Sequence, residues 1–229
     1  MTFAATILST KLLKPGLADK AMAHGIEIIE KRFIQTTPLA FTYFENTEAE
    51  YFVFTSSTAV KIVLNAGIAL QGKKIACTSG ETKKVLLENH ITVAIEADDA
   101  QSLADKLVQA QPRSAVFFCG NIHREELPET VKAAHIQVEE VIVYQTTLTP
   151  VLVHDFIDAI LFFSPSAVDS FLTNNTLSPS TVCFCIGPTT AHYLASKTKA
   201  PIHIASSPSQ EKLIDQLITY YTHQVHVKE

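Results

Sequence analysis

Two stretches decide the reading of this chain: YFVFTSSTAVKIVL (51–64) and AILFFSPSAVDSFL (159–172). Each runs from a short apolar segment into Ser or Thr and then, through Ala-Val, into a second apolar period. A short apolar run closed by hydroxyl residues and followed by a 3.6-residue period predicts strand, turn and helix in succession. Written twice in nearly the same letters, it predicts a duplicated unit.

Aligning Ser56 with Ser164 sets an offset of 164 − 56 = 108 residues, and the same offset lays ACTSGETKKVL (76–86) on FCIGPTTAHYL (184–194), with Thr82 on Thr190. DAQSLADKL and SQEKLIDQL still correspond further on, after an insertion of about two residues. Outward from the repeat, β-rich runs at 3–9, 26–36, 51–56, 74–79, 91–96, 114–119, 136–147, 159–164, 181–186 and 201–205 alternate with helical periods. Strict alternation predicts parallel sheets covered by helices, an α/β protein.

The second copy begins near residue 150 and lacks a counterpart for the opening strand, helix and strand at 1–36. The expectation is therefore a discontinuous α/β domain of 1–36 plus 150–229, interrupted by a second α/β domain at 40–140. RFIQTTPLAF (32–41) and EEVIVYQTTLTP (139–150) would join them as a two-stranded β linker, because both are β-branched, Thr-rich and closed by proline or lead through one. Two such strands side by side would make a hinge.

Composition narrows the function. The 229 residues are 47% hydrophobic and carry a net charge of −5, with arginine only at positions 32, 113 and 124, so no basic stripe offers itself to nucleic acid. No run reaches the roughly 20 apolar residues of a membrane span, and the N-terminus has no basic region like that of a signal peptide. Cys77, Cys119, Cys183 and Cys185 all lie inside apolar runs without a CxxC pair, which reads as buried thiols in a reducing compartment, the cytoplasm. GxGxxG, GxxxxGK[ST] and GxSxG are absent, which speaks against NAD, ATP and a serine hydrolase. The one HxxH, His223 with His226, reads as a solvated tail, and no metal or other cofactor is expected.

In an open parallel sheet, ligands lie at the carboxyl ends of the strands. Thr55, Ser56, Ser57 and Thr58 fall there in one copy, and Ser164 and Ser166 in the other, each set at a helix N-terminus whose free N–H groups attract anions. For any single turn such residues are more often plain N-caps; repetition of the turn in both units favours a shared anion-binding role. Gly187 suggests a tight turn before Pro188, Thr189 and Thr190, echoed by Gly80 and Thr82 in TSGET (78–82). Tyr144 stands on the second crossing strand, where it is either a packing residue or a group facing both domains.

FTSSTAV, GNIHREELPETV, VYQTTL, FFSPSAVDSF and IGPTTAHYLA follow one another in this order along nearly the whole chain. The set resembles the uroporphyrinogen-III synthase family. The resemblance implies two α/β domains on a two-stranded linker and a monomer without cofactor, partnered by neither nucleic acid nor membrane. Its substrate would be hydroxymethylbilane, a chain of four pyrroles with carboxylate arms. That substrate would lose water and close with ring D inverted, through a spiro-pyrrolenine, to uroporphyrinogen III of haem biosynthesis. It also implies that Ser56, Ser57, Thr82, Ser164, Ser166, Thr189 and Thr190 bind substrate and that Tyr144 assists departure of the hydroxyl. Thr58, the segment STKLLKP (9–15) and Cys119 depart from the family pattern. From another class, a non-catalytic two-domain module that closes on an anionic small molecule would use the same clefts.

Overall fold

The computed structural model describes residues 4–42 and 49–225; Phe3, at the start of the first expected strand, and His226 of the HxxH lie outside them. The chain divides into two compact units, one formed by residues up to 35 together with those from 147 onward, the other by 36–146.

In the first unit, β1 (Ala5–Ser9), β2 (Ile26–Glu30), β9 (Ala159–Phe162), β10 (Val182–Cys185) and β11 (Ile202–Ile204) form one sheet in the order β11-β10-β9-β1-β2. Every pair in it is parallel. β9 and β10 are buried along their whole length, the pattern of strands covered on both faces. Cover comes from α1 (Leu17–Met22) and α8 (Gln210–Val225) on Ile7, Leu161 and Phe184, and from α6 (Pro165–Asn174) and α7 (Pro188–Ala195) on Leu8, Ile160 and Phe162. The alternation of Ile7 with Leu8, and of Ile160 with Leu161, between the two cores is the two-residue period of a strand.

In the second unit the sheet runs β3-β8-β7-β4-β5-β6, where β3 is Ile34–Pro38, β4 Tyr51–Phe54, β5 Lys74–Thr78, β6 Val93–Ala97, β7 Ser114–Gly120 and β8 Gln137–Leu148. α2 (Ser57–Asn65) and α3 (Glu81–Glu88) pack on Phe52, Phe54 and Phe118, while α4 (Ala100–Ala110) and α5 (Glu126–Ala133) pack on Val53, Phe117 and Cys119. Phe54 stacks on Phe118, ring centres 5.2 Å apart, and fixes the β4–β7 contact at the middle of the sheet.

The repeat appears in three dimensions. An offset of 108 carries β4 (51–54) onto β9 (159–162), and both α2 and α6 begin just beyond the two serines. β9 pairs with β10 and β1, as β4 pairs with β5 and β7, so β1 occupies in the first unit the place that β7 holds in the second. The N-terminal strands thus supply what the second copy lacks in sequence.

Two local expectations are corrected. The run 26–36 is two strands rather than one, because β2 ends at Glu30 and β3 starts at Ile34. Between them Phe33 is fully buried against Phe171, ring centres 5.6 Å apart, and the Lys31 amide still bonds the Ser9 carbonyl. Burying that ring turns the chain out of the first sheet. Gly187, expected in a tight turn, has φ −173 and ψ 173, an extended conformation open to any residue; Gly80, at φ 74, is the glycine that its turn requires.

Candidate functional site

Strand order places each site. In a doubly wound sheet the ligand crevice opens where successive connections leave toward opposite sides of one strand. In the first unit that point lies between β1 and β9, and in the second between β4 and β7. Ser164 follows β9 and Ser56 follows β4, so the quoted repeat places one serine at each switch point. Thr82 and Thr190, one strand further out, follow β5 and β10.

Ser56 is the N-cap of α2, with extended backbone, and its Oγ accepts the Thr58 amide at 3.2 Å. Ser57 is the first residue of that helix and is half-buried. Ser164 caps α6 in the same way: Oγ accepts the Ala167 amide at 3.2 Å and lies 3.0 Å from the Ser166 hydroxyl. Beside it, the buried Thr10 hydroxyl donates to the Leu161 carbonyl at 2.7 Å, closing the end of β1 onto β9. Both serines therefore act as caps of the helices that follow the switch-point strands.

Thr189 is half-buried, whereas Thr190 is 3% exposed and Thr82 5% exposed. The Thr82 hydroxyl is 3.2 Å from that of Thr78. These two threonines are packed into their helix–sheet contacts more than presented at the loop.

Tyr144 belongs to the β4–β7 switch point through a feature the sequence hid. β7 and β8 run in register from Ser114↔Gln137 to Cys119↔Ile142, then slip so that Gly120 pairs with Tyr144. The slip leaves Val143 as the extra residue and swings the Tyr144 ring across Gly120. A Cβ on Gly120 would lie 2.3 Å from ring Cε2 and 2.5 Å from Cζ, so only glycine fits beneath the phenol. Asn121 locks the slip: its amide donates to the Tyr144 carbonyl at 3.0 Å, and its Oδ1 accepts the Thr146 amide at 2.6 Å. Burial pushes the phenol's pKa above its ordinary value, partly opposed by the nearby Ser56 hydroxyl, so the hydroxyl stays protonated at neutral pH. Ser56 and Tyr144, nearly ninety residues apart, thus come near one another at the carboxyl edge of the sheet.

Gly120 and Asn121 were missed as site residues by sequence reasoning, and a glycine closing an apolar strand in FFCGN was the available signal. Also missed was a cluster on the other face of this sheet, where one ligand atom each from Cys119, His123 and Glu140 lie within 4.8 Å of one another. No linear spacing announces it, because its members come from β7, the loop before α5, and β8. His223 is exposed on α8, in keeping with a solvated end. All four cysteines are free and buried.

These two sheets, each with serine-capped helices at its switch point, define a doubly wound α/β protein built from two units. The family model described as uroporphyrinogen-III synthase HemD matches residues 16–215. The chain belongs to the uroporphyrinogen-III synthase family. It is accordingly an enzyme, a lyase of haem biosynthesis that converts hydroxymethylbilane to uroporphyrinogen III. Among solved structures it is similar to uroporphyrinogen-III synthetase from Helicobacter pylori, with 17% identity, TM-score 0.64, and 94% of this chain and 99% of that one covered. It is also similar to a mutant uroporphyrinogen III synthase from Thermus thermophilus, with 13% identity, TM-score 0.71, and 96% and 99% covered. The wild-type form of that enzyme matches with 14% identity, TM-score 0.58, and 96% and 99% covered. At these identities the likeness is one of fold. No match is found among curated proteins.

Proposed function

We propose that the chain carries out this ring closure with substrate carboxylates held at the two serine-capped switch points and with the Tyr144 phenol as the group that assists loss of the hydroxyl. One observation supports this most: a protonated, half-buried phenol packs directly over Gly120, near Ser56, at the switch point of its sheet. Ser57 and Ser166 stand beside the two caps, and Thr189 in the first turn of α7, all at helix N-termini, where N–H groups favour an anionic arm. Thr82 and Thr190 belong to the same grip as its inner members.

Departure of a hydroxyl as water needs a proton, and a phenol that stays protonated at neutral pH can place one hydrogen bond on the leaving oxygen. Without the enzyme the open chain closes to the uninverted isomer, so holding ring D in the inverted approach matters as much as lowering the barrier. Charge-assisted hydrogen bonds of roughly 1.5–3 kcal/mol each hold a polycarboxylate without an arginine cluster. No metal or other cofactor takes part in this scheme. The chain works as a monomer in the cytoplasm, a setting that suits four free buried thiols, and its charge of −5 suits neither nucleic acid nor an acidic membrane. Among the described residues no helix is long and apolar enough to cross a membrane. The two strands β3 and β8, neighbours at the end of one sheet, serve as the hinge between the domains at 1–36 plus 150–229 and 40–140.

The purified chain given hydroxymethylbilane, with a chelator present and nothing added, is expected to yield the type III isomer by chromatographic analysis. Product that remains type I would overturn the reading, and activity lost to the chelator and restored by one metal would overturn its cofactor-free form. Ser164→Ala is expected to lower turnover about tenfold, one lost hydrogen bond, and to destabilise its unit by about 1 kcal/mol through loss of the α6 cap. Thr190→Ala is expected to reduce turnover by a similar factor. Complete inactivity in a folded Ser164→Ala protein, checked by circular dichroism, would assign that serine a covalent role instead.

A further inference from the structure

We propose that Cys119, His123 and Glu140 form a binding site for a borderline divalent cation of the zinc type, on the sheet face opposite Tyr144. The three donor atoms, one sulfur, one nitrogen and one oxygen, lie within 4.8 Å of one another. That donor set is chosen by zinc and its neighbours, whereas magnesium and calcium take oxygen alone.

The imidazole is already oriented as a metal ligand. His123 Nδ1 lies 2.9 Å from the Gly120 carbonyl, to which it donates, and the ring edge packs on Phe117 with centres 5.6 Å apart. Fixing one ring nitrogen on a backbone carbonyl is the usual support for a histidine that ligates through the other. The other ring nitrogen, Nε2, lies 2.9 Å from Glu140 Oε2, within hydrogen-bond distance. A divalent cation taking the place of the bridging proton would meet both of these atoms, and the buried Cys119 sulfur lies within 4.8 Å of them.

The surrounding charges suit a dication. Lys132 holds the other Glu140 oxygen at 2.5 Å, leaving Oε2 for single-oxygen ligation, and the exposed Glu125 places Oε1 3.7 Å from His123 Nε2 as a fourth donor. A thiolate, two carboxylates, Lys132 and a divalent metal sum to zero. Burial, with Glu140 and Glu125 nearby, pushes the Cys119 thiol up to about 12, so the sulfur ligates only by giving its proton up to the metal. His123, at 13% side-chain exposure, and Glu140, at 23%, leave an entry path from solvent. The site stands on this geometry alone and is independent of the reaction proposed above.

Cobalt(II) is the probe. The untagged full chain, stripped by chelator and titrated with Co2+, is expected to develop a thiolate-to-cobalt charge-transfer band and four-coordinate visible bands at one equivalent, both bleached by Zn2+. Cys119→Ser is expected to lose the charge-transfer band, and His123→Gln and Glu140→Gln to weaken binding at least about tenfold. Zinc is expected to raise the melting temperature of the wild type and to leave that of Cys119→Ser unmoved. Absence of the charge-transfer band in the wild type under excess Co2+ would overturn the site, showing that a proton alone bridges His123 and Glu140. Persistence of the band in folded Cys119→Ser would overturn it equally, by placing the metal at another thiol. Should Cys119→Ser fail to fold, the His123→Gln variant decides by the same cobalt titration.

Discussion

Tyr144→Phe is expected to lower single-turnover conversion of hydroxymethylbilane about 100-fold while equilibrium binding of the substrate changes by less than about threefold. The substitution keeps the ring over Gly120 and removes only the hydroxyl, so packing is preserved. What is lost is a hydrogen bond to the leaving oxygen, an interaction that grows as the C–O bond breaks and is therefore stronger in the transition state than in the bound substrate. The phenol's pKa is raised by burial, so loss of its proton begins only above the ordinary tyrosine range; activity that depends on it should hold through neutral pH and decline on the alkaline side. Tyr144→Phe should abolish that alkaline decline along with most of the rate. Equal rates in the two proteins would remove Tyr144 from the mechanism and leave loss of water to geometry and the helix-terminal N–H groups.

Gly120→Ala is expected to depress turnover at least as strongly, and to cost about 1–3 kcal/mol of stability as well. Its new methyl group would stand 2.3 Å from the Tyr144 ring, inside any permitted contact, and the glycine itself is buried between paired strands. Either the ring swings away from Ser56 or the Gly120–Tyr144 pairing opens, and both displace the phenol. The two effects separate in a double-mutant cycle followed by urea denaturation. In a Tyr144→Ala background the ring is gone, and adding Gly120→Ala should then cost less than about 0.5 kcal/mol. An undiminished cost would place the clash with some group other than Tyr144.

The two predictions differ in how far they could be foreseen. Tyr144 was a candidate from the sequence because it stands on the second crossing strand, inside VYQTTL of the ordered set of family motifs. Gly120 was not, since its role depends on which residue of β8 stands opposite it. Up to Cys119 the pairing predicts Val143 as the partner of Gly120; the slip makes it Tyr144. A bulge adds one residue to one strand and is decided by the neighbours that accept or refuse the ladder bonds, here Asn121 with Thr146.

Sequence by itself determined the α/β alternation, the duplication, and the location of Ser56 and Ser164 just beyond paired strands. These are local properties: a period of two or 3.6 follows from where successive side chains point, and a hydroxyl before a helix caps it with bonds only two or three residues away. Tertiary structure alone decided that β1 fills beside β9 the place β7 fills beside β4, and that Phe33 breaks the run at 26–36 by entering the core against Phe171. It alone set Tyr144 over Gly120 and gathered Cys119, His123 and Glu140 on the opposite face. Each of these joins segments that the chain's own periodicity leaves independent. Strand pairing and side-chain burial are settled by non-local contacts, which a run of residues does not contain.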